Sequence, residues 1–390
     1  MEKVKILKAV DIVNDSVSEY EGERPFLSTG DLNLSTITNL ELHTFSEKPS
    51  RANQNVSSGD LILARMQGTV KVKLINNEDE NIIVSTGFLV LRPKINADSK
   101  YLFHLLKSSN FQNDKDKLCT GATQKAINNS NFEKLEIPLP NLATQQRIAA
   151  ILDQADAIIQ NNRAIVQKYD ALTQSLFLDM FGDPVKNEKG WEKRKLNDFL
   201  EVLVDVGSNG GNDWVSANIK MKDEEDYALM IRTVNLNKND FENNLKYVSE
   251  ETYNLFKKTK VYGGEIIMNK IGSAGEFWLM PYLNRPVSLG LNQLMMTFKN
   301  LDKFYFYFYF STNYGKKLIN SKLNGATTKS ITKTALRDLD ILYPPMELQN
   351  QFAERVAVIE AQKQQAQLEL AKSEELFQSL LQRAFKGELN

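Results

Sequence analysis

The residues Gly121-Ala122-Thr123-Gln124-Lys125-Ala126-Ile127 return as Gly325-Ala326-Thr327-Thr328-Lys329-Ser330-Ile331, and this repeat constrains the fold more than any other feature of the sequence. The register holds downstream: Leu135 and Ile137 fall on Leu339 and Ile341, Pro140 on Pro344, Gln145 on Gln349, Leu172 on Leu376, Ser175-Leu176 on Ser379-Leu380 and Phe181 on Phe385. Upstream it loosens, as loop insertions make it do. Ser58-Gly59-Asp60-Leu61-Ile62 resembles Gly263-Gly264-Glu265-Ile266-Ile267, and Ser108-Ser109-Asn110 resembles Ser311-Thr312-Asn313. A chain doubled in this way is two copies of one module, each a variable globular part followed by a better-matched tail.

Both tails predict long helices. In the first, Ile148, Ile151, Ala155, Ile158, Asn162, Ile165, Tyr169, Leu172 and Leu176 form a heptad seam broken by one polar residue. In the second, Phe352, Val356, Ile359, Ala366, Leu370, Phe377 and Leu380 repeat the spacing, with Lys363 and Ser373 as polar exceptions. Pro138 and Pro140 precede one helix and Pro344 and Pro345 the other, while Gly182-Asp183-Pro184 and Gly387 end them. The first helix stops where the second globular part begins, so the second can bury its stripe only by running back. The expected architecture is α+β: two mixed α/β globular domains, 1–141 and 183–345, separated by an antiparallel pair of coiled-coil helices, 142–182 and 346–390, with pseudo-two-fold symmetry. The chain ends should meet. Asn162 either fixes the register of the pair or marks where the stripe drifts to solvent.

Within the globular parts, Leu61–Ala64, Ile82–Val84, Phe88–Leu91, Glu265–Met268 and Gln293–Phe298 read as short strands, and Tyr101–Lys107 as a helix. The aromatic run Phe304–Phe310 should be helical like its twin. Core packing is favoured for it over a base-stacking platform, because large aromatics mainly fill interiors.

Composition removes several classes of function. Hydrophobic residues at 42% and charged residues at 25% fit a folded globular chain, and nowhere do eighteen apolar residues run together. A single cysteine, Cys119, forms no internal disulfide and fits a reducing cytoplasm; with only His43 and His104 beside it, metal sites lack ligands. Phosphate-binding loops, dinucleotide fingerprints and nucleophile elbows are absent, so neither catalytic residues nor a cofactor of its own is expected. Forty-eight basic against 49 acidic residues give a net charge of -1, which predicts no partner by itself.

The order G-x-T-x-K-x-I, then Ile137-Pro138-Leu139-Pro140, then Gln145-Gln146-Arg147-Ile148 opening a long helix, then Met180-Phe181-Gly182-Asp183-Pro184 with Asn187 and Gly190-Trp191, resembles the DNA-specificity subunit of type I restriction-modification systems. The resemblance spans the chain, including its duplication. It implies that each globular part is a target recognition domain for one half of a split site in double-stranded DNA. It also implies that the helices form a spacer and dock two modification subunits. Those partners would bind S-adenosylmethionine and methylate adenine, and a translocating restriction subunit can join them. The second copy departs from the first at Leu342-Tyr343-Pro344-Pro345 and Gln349-Asn350-Gln351-Phe352, which weakens any expectation of equal docking on both faces. Two rival readings remain: a coiled-coil adaptor without DNA, and a methyltransferase with its own activity or the specificity part of a related methyltransferase system.

Charge distribution agrees with DNA at the globular ends. The segments 142–182 and 346–390 hold three basic against four acidic and five against seven residues, leaving the rest mildly basic. Lys71 and Lys73 alternate with apolar residues and share a strand face suited to phosphate, or guard an edge strand. Arg65 and Gln67, and Lys270 and Ser273, sit on glycine-containing loops after equivalent strands and suit base edges. Gln124-Lys125 and Thr328-Lys329 follow glycines at copied positions, either gripping phosphate or launching the next segment. Residues differing between copies should read sequence, which adds Arg232 and Asn235 to the second set.

Overall fold

The computed structural model describes residues 3–389. Contacts divide the chain into two compact units, Met1–Ile165 with Ala366–Asn390, and Val166–Gln365. The boundaries therefore lie inside the long helices Leu142–Phe181 and Met346–Lys386, rather than at their ends as the four-segment reading expects. Antiparallel pairing is the reason: the start of one helix packs with the end of the other.

In the first unit a four-stranded antiparallel sheet runs Val10–Val13, Phe88–Pro93, Leu61–Ala64, Val72–Leu74. Its central strands are apolar on both faces because both are covered. Leu61, Leu63, Leu89 and Leu91 join the core beneath the helices, whereas Ile62, Ala64, Phe88 and Val90 join a second core. That second core faces another sheet, ordered Glu41–His43, Arg24–Leu27, Ile83–Ser85, Ala52–Gln54, with one parallel pairing. Lys3–Lys5 pairs with Glu136–Pro138 just before the first long helix.

The second unit repeats the plan. Leu200–Asp205, Gln293–Phe298, Ile266–Asn269 and Phe277–Leu279 form the antiparallel sheet. Tyr247–Val248, Ala228–Met230, Val287–Ser288 and Lys260–Val261 form the other, again with one parallel pairing. Glu192–Lys195 pairs with Asp340–Tyr343 ahead of the second long helix. The aromatic run lies on the helix Lys303–Ser311, where Tyr305, Phe306, Tyr309 and Phe310 are buried among Phe177, Phe181 and Phe352. It is core, not a stacking platform.

Each unit ties the start of a long helix to the turn that opens a short one, Ser99–Lys107 or Lys303–Ser311, through a duplicated buried amide. Gln145 Oε1 accepts from the Asp98 backbone N–H at 2.9 Å, and its Nε2 donates to the carbonyls of Asn96 and Pro140. Gln349 does the same toward Asp302 N–H and the Pro344 carbonyl, and both glutamines are fully buried. The match of Gln145 with Gln349 was visible in the repeat; its purpose was not.

The helix seam needs one correction. Burial follows Ile148, Leu152, Ala155, Ile159, Asn162, Val166, Tyr169, Thr173, Leu176 and Met180, while Ile158, Ile165 and Leu172 stand 53%, 43% and 49% exposed. Ile151 is half-buried beside fully buried Leu152. Three of the nine expected positions thus stand in solvent, with the buried residue one place further along, and Ile151 shares its place with Leu152. The doublets Ile151-Leu152, Ile158-Ile159 and Ile165-Val166 satisfy a 3-4 and a 4-3 spacing equally, so apolar periodicity alone does not choose. In the second helix every expected position is buried or half-buried. Within the first unit Asn162 Nδ2 donates to Ser373 Oγ at 3.0 Å, and within the second Lys363 pairs with Asp170 at 2.6 Å.

Candidate nucleic-acid interface

In each unit two loops meet by main-chain bonds at the end of the antiparallel sheet. In the first, Thr120 and Ala126 exchange backbone hydrogen bonds at 3.0 Å, closing the loop that carries Gln124 and Lys125. Gln67 N–H donates to the Lys125 carbonyl at 2.9 Å and Ile127 N–H to the Arg65 carbonyl at 2.9 Å. The second unit reproduces this arrangement: Asn324 and Ser330 exchange bonds, Gly272 N–H donates to the Lys329 carbonyl at 3.2 Å and Ile331 N–H to the Lys270 carbonyl at 2.9 Å.

Glycine is obligatory at the closing point. Gly121 and Gly325 have φ of +137° and +101°, and a Cβ would come within 2.3 and 2.2 Å of the carbonyl oxygens of Gln124 and Thr328. The exposed tips then present Gln67, Gln124 and Lys125 in one unit, and Ser273, Thr328 and Lys329 in the other. Among the described residues neither Lys125 nor Lys329 has an ion-pair partner, which leaves both ammonium groups to an incoming anion.

The other expected contacts are placed differently. Arg65 is half-buried, donating to the carbonyls of Phe88 and Ile127 and to Asn129 Oδ1 at 2.9 Å, and burial lowers its basicity. It clamps its own loop rather than offering a free guanidinium. Lys71, just ahead of the edge strand Val72–Leu74, donates to the Thr29 carbonyl at 2.6 Å, and Lys73 on that strand pairs with Asp79 at 2.9 Å, so both are held by the fold rather than sharing an open strand face. Arg232 is held by the Asn244 carbonyl, and Asn235 is 2% exposed within its own turn. Lys270 pairs with Asp205 at 2.7 Å, as Lys333 does at 2.9 Å. Burial alone would raise the Asp205 carboxyl; bonds from Lys270, Lys333 and Ser208 instead hold it at about 2. Asp205 was not anticipated, because its partners lie 65 and 128 residues away.

A family model for the type I restriction modification DNA specificity domain matches residues 5–168 and again 188–370. The chain belongs to this family. A type I specificity subunit supplies DNA recognition to a restriction-modification system, with catalysis carried by partner subunits, and this displaces both the adaptor and the self-contained methyltransferase. Relatives of this specificity subunit include the putative type I restriction enzyme MjaX specificity subunit of Methanocaldococcus jannaschii, 25% identical over 80% of this chain and 76% of that one. The EcoKI specificity subunit of Escherichia coli is 24% identical over 87% of this chain and 76% of that one. The crystal structure of the S subunit from M. genitalium shares the fold, with a TM-score of 0.57, 15% identity, and coverage of 98% of this chain and 96% of that one. Among the described residues no helix is long and apolar enough to cross a membrane, and no cluster of side chains suits a metal ion.

Proposed function

We propose that this specificity subunit reads a bipartite DNA target, one half-site per unit, with an unread spacer whose length depends on the paired long helices. One observation supports this above all: each unit carries the same loop pair on the same scaffold, with different side chains at the tip. Like scaffolds with unlike tips suit a target with unlike halves. Phosphate contacts from Lys125 and Lys329 position the duplex, and the differing neighbours discriminate bases.

The long helices are the proposed docking surface for two modification subunits that bind S-adenosylmethionine and methylate adenine, with restriction subunits able to join. Ile158 and Ile165, seven residues apart and left in solvent in the first unit, support such a face, as does Leu172 in the second. The reading places the chain in the cytoplasm. Inserting one heptad into each long helix tests the spacer: a lengthening of about 10 Å at 1.5 Å per residue corresponds to about three base pairs. Methylation sequencing of the assembled variant should show a spacer longer by that amount with both half-sites retained. An unchanged spacer would refute the dependence on helix length.

A further inference from the structure

The two units differ where the post-strand loop approaches the second short helix of each. In the first unit Lys115 is fully buried there, its Nζ donating to the carbonyls of Met66 and Thr69 at 3.3 and 3.0 Å. Asp116 completes the closure, accepting from Gly68 N–H at 2.9 Å through a carboxylate oxygen and from Gln67 Nε2 at 3.3 Å through its carbonyl. The loop is stapled to the helix.

By the repeat register, Ile319 and Asn320 stand in the second unit where Lys115 and Asp116 stand in the first. The staple is lost. The loop of residues 270–276 closes on itself instead, with Gly275 N–H donating to the Asn269 carbonyl at 3.0 Å and Asn269 N–H to the Glu276 carbonyl at 2.8 Å. A cleft of about 670 Å³ opens between loop and helix, lined among others by Asn237, Ser273, Trp278, Lys316, Asn320 and Lys329. That volume is ligand-sized. Among the described residues Lys316 and Lys329 have no ion-pair partner, and Asn237 and Asn320 are exposed.

We propose that this cleft is a target-reading subsite peculiar to the second unit, which takes a nucleotide of the DNA half-site. This rests on the DNA-reading function proposed above. The donor set fits each part of that ligand. Lys316 and Lys329 bind flanking phosphates as cations, the Asn237 and Asn320 amides match the donor and acceptor pair on a base edge, and Trp278 offers an aromatic face. Glu276, the one acidic group among the lining residues, opposes phosphate at its end of the cleft and accepts from an exocyclic amine. The first unit, with Lys115 and Asp116 in place, reads its half-site without such a subsite.

The test uses the chain assembled with its modification subunits. Asn237→Ala and Asn320→Ala, both exposed positions, should relax base preference about tenfold at one position of one half-site in single-molecule methylation sequencing, leaving the other half-site and the spacer unchanged. Lys316→Ala should weaken binding to a target duplex without altering the motif, and should lower the slope of log affinity against log salt by about 0.9. If the wild-type assembly methylates a defined target and all three variants keep its motif and salt slope, the subsite is refuted while the recognition function stands. A wild-type assembly that neither binds nor methylates a defined sequence overturns the function and the subsite together.

Discussion

At the scale of single residues, the repeat marks positions that physics requires twice. Gly121 and Gly325 were legible because only glycine tolerates their backbone angles, and the sequence keeps it in both copies. Gly325→Ala should distort the loop carrying Thr328 and Lys329, lower stability in urea unfolding by about 1 kcal/mol or more, and weaken DNA binding by the folded protein; unaltered affinity would show that the loop does not touch DNA. The buried glutamines act on stability. Gln145→Ala leaves the Asp98 N–H and the Asn96 and Pro140 carbonyls without their partner, and should cost about 1–3 kcal/mol in chemical denaturation. Asp205 gives a pH signature. Its carboxyl titrates at about 2 in the folded protein against 3.8 ordinarily, so its stabilisation is complete above the ordinary value and is lost as pH falls from 3.8 toward 2. Asp205→Asn should flatten the fall in stability across that window, and an identical acid profile for variant and wild type would remove Asp205 from the account. What is not legible at this scale is what the cations hold. Sequence lists Arg65, Lys71, Lys73 and Lys270 as charged and polar neighbours, but their carbonyl and carboxylate partners come from distant segments that only the fold assembles.

At the scale of elements, helices and strands were easier to read than the faces they present. Gln293–Phe298 is a strand over the expected span, its six residues between turn signals being the length of a buried strand and short for a helix. The helix Lys303–Ser311 followed its twin despite an aromatic pattern with no helical period. The first long helix was placed correctly, yet its seam was read one residue out at alternate positions because apolar doublets make two registers equivalent. That correction predicts a contrast between neighbours. Ile159→Ala should destabilise by about 2–5 kcal/mol, since Ile159 is 4% exposed in the core. Ile158→Ser should stay within about 0.5 kcal/mol in the same thermal or urea melt, since Ile158 is 53% exposed. The serine variant should instead weaken assembly with the modification partner. Equal destabilisation by both changes would restore the original seam.

At the scale of the whole molecule, the doubled sequence foretold the doubled fold, including a first unit built from both chain termini. Val4 near the start and Leu389 near the end pack against one core. The second unit makes the equivalent core from an unbroken stretch, with Phe181 occupying the place in the repeat of Phe385. The units differ at the tips of the loop pairs and at the cleft beside Asn320, and among the described residues the second unit also carries the short helices Asn212–Asn218, Thr233–Lys238 and Glu250–Leu255, which have no counterpart in the first. Under the proposed function, those tips and that cleft are where the two half-site readers diverge. The measurement that bears most directly on this is single-molecule methylation sequencing of cells expressing the chain with its modification partners, before and after residues 1–141 are exchanged for those of another member of the family. The account predicts that one half-site changes while the spacer and the other half-site persist. A change in both halves, or a target with no spacer, would contradict it.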